Sequence, residues 1–300
     1  MNRPTVQQLV YLVAVAEHGH FGRAADACFV SQPALSTQIR ELERRIGATL
    51  IERSPRGLLL TPVGAEVVDR ARAIVRDVEE LVEVSAANGV GIVGPLHIGV
   101  IPTLSPYLLP AVVAATHNAH PQAELQLSEL QTDPLLVELR SGAVDLALLA
   151  TEVDGTDVET GVLGDDPFVV ALAASHPLAA GDGVLQLGDV AKLRVLLLAD
   201  GNCLREQAQA VCLDSSLVVS DLQGTSLTTV VQMVAAGQGI TLLPSIAAAL
   251  EARPDSGIVT RPLAAPVPRR TIRLAWRARS PRAARYRELV ELLAPLVPDC

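Results

Sequence analysis

The chain has 300 residues, an apolar fraction of 49% and a formal net charge of −9 at pH 7. This length leaves room for two or three domains, and the absence of an apolar run of about 18 residues excludes a membrane-spanning helix. The negative charge argues against unspecific nucleic-acid binding by the whole chain. Residues 1–61 differ from the rest, because they contain seven arginines against five acidic residues.

The beginning of the chain and its cysteine content indicate a reducing compartment. The first ten residues lack the charged and apolar regions of a signal peptide, and four cysteines are too few for a disulfide scaffold. We therefore expect a cytoplasmic protein with free thiols. No motif for a metal, a nucleotide cofactor or a hydrolase nucleophile is present, so we expect neither a cofactor nor a metal.

Residues 1–61 predict three helices followed by a β-hairpin. Thr5 and Gln8 have the spacing of a capping box, and Gly19 ends the first helix. A short second helix runs from about Phe21 to Cys28. Ser31 caps a third helix, which Gly47 ends. Two short apolar runs flank the turn at residues 54–57 and predict a wing.

The third helix has an apolar face formed by Leu35, Ile39 and Leu42, and a polar face opposite it. A recognition helix in the major groove of DNA requires exposed groups that donate and accept hydrogen bonds. An ordinary amphipathic helix with a solvated polar face is the alternative. The candidate DNA contacts are Gln32, Pro33, Ser36, Thr37 and Arg40 on this helix, and Arg53 and Arg56 on the wing.

Residues 62–88 predict a long helix with a heptad repeat. Val67, Ile74 and Leu81 occupy one heptad position, and Ala71 and Val78 occupy the other. A narrow apolar stripe of this kind is typical of a helix that pairs with a second copy of itself. The alternative is that the stripe packs on its own domain.

From residue 92 onward, strands and helices alternate, which favours open parallel sheets with a ligand crevice. We expect two α/β subdomains that face each other across a cleft. The first should comprise residues 92–164 and 269–300, and the second residues 165–268. Strands are predicted near residues 96–101, 123–127, 145–150, 168–173, 194–199, 216–220, 240–243 and 271–276; helices are predicted near 106–116, 134–140, 203–211, 226–236 and 282–296.

Cys203 follows a predicted strand and lies at the start of a predicted helix. The positive end of that helix and the nearby Arg205 favour a negatively charged sulfur, which is the form that attacks peroxide. Cys212 is a second thiol that could capture the product. Nine residues of helix correspond to a rise of roughly 13 Å, whereas a disulfide needs Cα atoms within about 7 Å, so the helix would have to refold. The alternative is that both cysteines are unrelated small core residues.

Residues 21–64, FGRAADACFVSQPALSTQIRELERRIGATLIERSPRGLLLTPVG, resemble the winged helix-turn-helix of the LysR-type transcription regulators. The resemblance implies an N-terminal all-α winged helix-turn-helix with a long dimerising linker helix, followed by a two-subdomain sensor that resembles periplasmic binding proteins. It also implies a homotetramer, usually a dimer of dimers, which binds promoter DNA, with RNA polymerase as a further partner.

The segments GNCLREQAQAVC, GTSLTTVVQMVAAGQGITLLP and PVPRRTIRLAW resemble the peroxide-sensing members of that family. By this resemblance, Cys203 is the peroxide-reactive cysteine, Cys212 is the resolving one, and the oxidised protein activates defence genes. Thr103, Thr132 and Asn202 would line the peroxide pocket, and Arg205 would hold the thiolate. Asn202 replaces the histidine that this pattern usually has, and unlike histidine it does not titrate near neutral pH.

Two other functions compete with this interpretation. The first is a LysR-type regulator that binds a small metabolite in the cleft, with Thr103, Thr132 and the turn at residues 224–226 as contacts. In that case Cys203→Ser would keep the DNA response. The second is a thiol peroxidase, for which the sequence shows no site for a dedicated reductant, so we expect a regulator and not an enzyme.

Overall fold

A computed structural model describes residues 3–54, 57–86, 91–181, 183–215 and 217–297. The chain divides into two compact units. The first comprises residues 1–90 with the short segments 138–144 and 279–282, and the second comprises the remainder. Among the helices formed by the described residues, none combines the length and the apolar character needed to cross a bilayer.

The first unit has the predicted order of three helices, a hairpin and a long helix. Its caps are those expected from the sequence: Thr5 and Gln8 form a capping box, Ser31 accepts from the Ala34 N–H, and Gly19 and Gly47 end their helices in the left-handed conformation. The elements are α1 (Val6–His18), α2 (Phe21–Ala27), α3 (Gln32–Ile46), β1 (Ile51–Ser54), β2 (Gly57–Leu60) and α4 (Pro62–Ala86).

The core of the first unit fixes the orientation of α3. Leu35 and Leu42 on its inner face are fully buried together with Leu12 from α1 and Leu50 before the hairpin. Burying each such side chain contributes about 1.5–3 kcal/mol of transfer free energy. The polar face of α3 therefore remains on the outside.

Helix α4 contributes its first turns to this same core. Val68 and Ala71 are buried with residues of α1, so the assignment of Ala71 to an exposed pairing seam is wrong for the single chain. Ile74 is 44% exposed and remains available to a second copy. The Leu81 side chain lies outside the described residues.

The second unit begins at residue 91 and alternates strands and helices. Its elements are β3 (Gly94–Val100), α5 (Ser105–Ala119), β4 (Ala123–Glu129), α6 (Thr132–Ser141), β5 (Leu146–Leu149), β6 (Val158–Ala173), β7 (Arg194–Leu198), α7 (Cys203–Asp214), β8 (Val218–Gly224), α8 (Leu227–Ala235), β9 (Thr241–Pro244), α9 (Ser245–Glu251), β10 (Ile258–Pro262), β11 (Arg269–Arg277) and α10 (Ala283–Leu293).

The sheets of this unit are mixed, which corrects the expectation of purely parallel sheets. The order in the large sheet is β10-β6-β11-β5-β3-β4, and β9 also pairs with β6. β3 is parallel to β4 and β5, whereas β6, β9, β10 and β11 pair antiparallel. The sequence pattern also missed α9, β10 and the first ten residues of β6.

The 16-residue strand β6 joins the two subdomains of the sensor. Its first half pairs with β11, and its second half pairs with β9 and β10. The chain then passes from β10 to β11, and both of these strands pair with β6. The apolar core around the second half includes Phe168, Leu196, Val231 and Cys212. The loops that follow β3, β4 and β7 lie close together and line one crevice.

Candidate functional site

The two predicted redox cysteines lie on one unbroken helix. Cys203 is the first residue of α7, and Cys212 lies nine residues later on the same helix. Both thiols are free and both side chains are buried. At about 1.5 Å of rise per residue, their Cα atoms are too far apart for a disulfide. Direct bonding is therefore impossible while α7 remains intact.

The two sulfurs have different surroundings. Cys212 lies in the apolar core with Leu204, Ala208 and Leu217. Burial raises the pKa of its thiol to about 11. Cys203 instead borders a crevice at the beginning of the helix. Cys212 is thus a protected, neutral thiol near pH 7, whereas Cys203 borders a narrow crevice lined in part by polar side chains.

The crevice beside Cys203 is formed by three loops that follow strands. The crevice is narrow, and a water-sized sphere does not fit inside it. Hydroxyl and amide side chains form part of its wall beside Cys203, and a small polar ligand would enter it only after these side chains shift. The lining residues are Ile101, Pro102 and Thr103 after β3, Gln131 and Thr132 after β4, and Gly201, Asn202 and Cys203 after β7.

Thr103 is held by a buried arginine that the sequence analysis did not identify. Arg270 Nη1 donates to Thr103 Oγ1 at 2.9 Å, and Nη2 donates to the Thr103 carbonyl at 3.2 Å. The Arg270 and Asp166 side chains are almost fully buried, and they pair at 2.9 Å. Because Arg270 occupies a lone pair of the Thr103 hydroxyl, the hydroxyl hydrogen is free to donate to another acceptor.

Asp166 extends this network to α9. Its second oxygen accepts from the Ser245 hydroxyl and from the Ile246 N–H, both at 3.0 Å. Full burial of a charged pair is tolerated only when the remaining hydrogen-bonding positions are also satisfied. The segment PRRTIRLAW contains adjacent arginines, but nothing in their spacing distinguishes exposed Arg269 from buried Arg270.

Thr132 presents an unpartnered hydroxyl at the crevice. Its Oγ1 is buried, and the described residues include no hydrogen-bond partner for it. Gly201 lies against the side chain of Gln131, so a Cβ there would be only 2.9 Å from Gln131 Oε1. Gly201 also has a positive φ of 87°, a conformation that glycine adopts without strain. Both features keep this wall of the crevice close to Cys203.

Asn202 and Arg205 also lie at the start of α7, with contacts of their own. Asn202 Nδ2 donates to the Ala199 carbonyl at 3.0 Å. The Arg205 guanidinium donates to the Leu198 carbonyl at 2.7 Å and pairs with Asp200 at 2.8 Å. These contacts brace the turn between β7 and α7. The expectation that Arg205 holds the Cys203 thiolate stays a prediction.

A larger cavity of about 320 Å³ adjoins the crevice. It shares Thr103, Gln131 and Asn202 with the crevice and extends to the turn at residues 225–228. Beside it, Glu251 Oε1 accepts from the hydroxyls of Tyr107 at 2.7 Å and Thr228 at 2.9 Å. Burial, followed by the hydrogen bond to Glu251, raises the pKa of Tyr107, so this phenol remains a neutral donor.

The candidate DNA contacts on α3 share one outward face. Gln32, Pro33, Thr37 and Arg40 are exposed, and Ser36 is half-buried. Arg40 bends back to its own helix, donating to the Ser36 carbonyl at 3.3 Å and to Thr37 Oγ1 at 3.4 Å. Arg56 and the Arg53 side chain lie outside the described residues. The face thus has the donors and acceptors that reading base edges requires.

This fold and this site define a DNA-binding regulator with a sensor domain. Residues 6–65 match the family described as the bacterial regulatory helix-turn-helix protein, lysR family, and residues 90–297 match the LysR substrate binding domain. The chain belongs to the LysR family of bacterial transcription regulators, as the sequence analysis predicted.

Comparison with known proteins narrows this family further. The chain is 44% identical over 289 residues to the DNA-binding transcriptional dual regulator OxyR of Escherichia coli K12, covering 96% of this chain and 94% of the relative. It is similar to a full-length cysteine-to-aspartate variant of OxyR from Pseudomonas aeruginosa (TM-score 0.83, 34% identity, 98% and 95% coverage). It is also similar to a hydrogen-peroxide-bound cysteine-to-serine variant of OxyR from Corynebacterium glutamicum (TM-score 0.67, 35% identity, 99% and 95% coverage).

Proposed function

We propose that this protein is a transcription regulator that senses hydrogen peroxide through Cys203 and activates oxidative-stress defence genes. One observation carries the proposal: Cys203 lines one crevice together with the arginine-held Thr103 hydroxyl and with Thr132, whose hydroxyl has no hydrogen-bond partner among the described residues. The chain matches the OxyR proteins described above over nearly its whole length, and one of them is a hydrogen-peroxide-bound variant, which supports the same function.

The chemistry takes place in two balanced steps. The Cys203 thiolate attacks one oxygen of hydrogen peroxide, the O–O bond breaks, and after one proton is taken up the products are Cys203 sulfenic acid and water. The Cys212 thiol then reacts with this sulfenic acid to form the Cys203–Cys212 disulfide and a second water. The two sulfurs lose two electrons in total, and the peroxide is reduced to two water molecules.

The crevice residues have separate parts in this reaction. Thr103 is oriented as a donor toward the peroxide, because Arg270 occupies its lone pair. Thr132 has no hydrogen-bond partner among the described residues, so its hydroxyl can both donate to and accept from the other oxygen. Asn202 and Arg205 hold the turn before α7, so we assign them to the same pocket. Asn202 does not titrate near neutral pH, so it adds no pH dependence of its own to the oxidation.

Disulfide formation would convert this local chemistry into a structural signal. Cys212 must leave the apolar core and α7 must unwind before the sulfurs can meet. We propose that this refolding alters how subunits pack in a homotetramer built from dimers paired through residues 62–88. The helix α3 and the wing, both within residues 1–61, would then contact the promoter with a different spacing between the two DNA-binding units.

We also propose that the sensor consists of two subdomains, one formed by residues 92–164 and 269–300 and the other by residues 165–268.

Mass spectrometry tests the redox half of the proposal. The reduced full-length protein is treated with one equivalent of peroxide, blocked with iodoacetamide and digested without reductant. A Cys203–Cys212 crosslink is expected in the wild type and in a Cys28→Ser control, and it should be missing from Cys203→Ser. If the wild type forms no such crosslink, the proposed mechanism is wrong.

DNA binding is tested with variants on the outer face of α3. Gln32→Ala and Arg40→Ala should weaken binding to the operator, each by about 1–3 kcal/mol if the side chain contacts a base. Gln38→Ala, on the same helix but bonded to Gln8, is the control for helix stability. If Gln32→Ala and Arg40→Ala both bind the operator as tightly as the wild type does, this face of α3 does not contact the bases.

The cavity of about 320 Å³ favours one second candidate function, the binding of a small metabolite. Its lining of hydroxyl and amide groups suits a polar ligand better than an apolar one. Under this alternative, Cys203→Ser would retain the full transcriptional response to the inducer, whereas the peroxide mechanism predicts that the response disappears.

A further inference from the structure

Gln207 connects the helix that carries both cysteines to a distant part of the sensor. It lies one turn after Cys203, and its Nε2 donates to the Ala150 carbonyl at 2.5 Å. Ala150 directly follows β5, whereas α7 packs on β7 and β8. The bond therefore crosses from the second subdomain to the first.

The other atom of the same amide is unsatisfied. Gln207 Oε1 is buried, and no hydrogen-bond partner for it exists among the residues that the structure describes. A buried acceptor without a partner reduces the net stabilisation that the amide provides. The Nε2 atom thus holds α7 to Ala150, and the unpaired Oε1 atom keeps the net stabilisation small. A weak contact of this kind can open when α7 unwinds.

Position 207 lies inside the segment that must refold. Because it lies between Cys203 and Cys212 on α7, unwinding this segment would remove its amide from Ala150. We infer that Gln207 is a positioning residue for disulfide formation: its bond to Ala150 holds α7 in the reduced, helical state and so sets the equilibrium between dithiol and disulfide. This inference rests on the proposed function, since it requires that the disulfide forms.

Glutathione redox buffers measure this equilibrium directly. One glutathione disulfide oxidises the two protein thiols and yields two reduced glutathione molecules, so two electrons and two protons are exchanged. The full-length protein is equilibrated at a series of buffer ratios, alkylated and quantified by peptide mass spectrometry. The variants are Gln207→Glu, which replaces the donor with an acceptor, and Gln207→Leu, which removes both amide atoms.

Gln209→Glu is the matched control, because it makes the same chemical change two residues further along α7. Gln209 is half-buried, as Gln207 is. Thermal unfolding of each reduced variant reports whether it is folded. If Gln207→Glu does not fold, Gln207→Leu decides the outcome.

Gln207→Glu should shift the equilibrium constant about tenfold toward the disulfide, which corresponds to about 30 mV. Gln207→Leu should shift it by a smaller factor of about three, because it also removes the unpaired Oε1, and Gln209→Glu should remain within about twofold of the wild type. A folded Gln207→Glu within twofold of wild type, or shifted toward the dithiol, overturns the inference. A wild type that forms no disulfide at any ratio contradicts the proposed function instead.

Discussion

If α7 unwinds on oxidation, any substitution that weakens the helix without touching its contacts must favour the disulfide. Ala210 is exposed within α7, so Ala210→Gly changes backbone freedom and little else. Glycine destabilises a helix interior by about 1 kcal/mol relative to alanine. This penalty applies only to the reduced state, so the equilibrium constant should shift about fivefold toward the disulfide, or about 20 mV.

The same glutathione titration measures this shift, and Ala114→Gly supplies the comparison. Ala114 is exposed on α5, a helix that the proposed reaction leaves intact. Its substitution should lower overall stability by a similar amount in both redox states, with no change in the equilibrium constant. Equal titration curves for Ala210→Gly and the wild type would refute the reasoning that residue 210 leaves the helix.

Three further results are expected. Thr103→Val should slow the oxidation of Cys203 by peroxide at least tenfold, which stopped-flow kinetics measures, and an unchanged rate would show that Thr103 has no part in the reaction. The same variant should lower the free energy of unfolding in urea by about 1.5–3 kcal/mol, because the buried Arg270 side chain loses the hydroxyl that accepts its hydrogen bond. Phe29→Gly should raise the free energy of unfolding by about 1 kcal/mol, because Phe29 is 96% exposed and has a φ of 54°, a conformation that is strained for any residue with a Cβ. Thermal unfolding measures this change, and a lower melting temperature would contradict it. Burial raises the pKa of Cys212 to about 11, so the stability that its neutral thiol gives to the reduced state is complete below about pH 9 and is lost as the pH rises toward 11. Cys212→Ala should therefore flatten the curve of unfolding free energy against pH between about pH 9 and 11. An unaltered slope would contradict this prediction.

The DNA-binding part of the molecule was largely predictable because its signals are local. Capping residues, glycines in the left-handed conformation and the spacing of Leu35, Ile39 and Leu42 each act over a few residues of chain. The structure contains the helices that these signals predict, within a few residues at each end. What the sequence did not decide is which stripe of α4 its own domain buries, since both Val68 and Ala71 pack on α1.

The sensor was less predictable, because its sheet depends on contacts between residues far apart in the chain. β6 contains a glycine at 164 and two aspartates before Phe168, and this polar stretch conceals a strand that pairs with β11 more than 100 residues later. β6 runs through both subdomains and pairs antiparallel with β9, β10 and β11. Alternating elements alone favour a parallel arrangement.

The sequence by itself determined the amphipathic helix α3, the position of Cys203 at the start of a helix, and the fact that Cys212 cannot reach Cys203 while that helix is intact. These conclusions need only helical geometry and the residue spacing. The tertiary structure alone decided which groups surround the sulfur. Arg270 and Asp166 are 104 residues apart in the chain, and Gln207 and Ala150 are 57 apart. Only the folded sheet brings such pairs within hydrogen-bond distance, because their partners lie on different elements of the sensor.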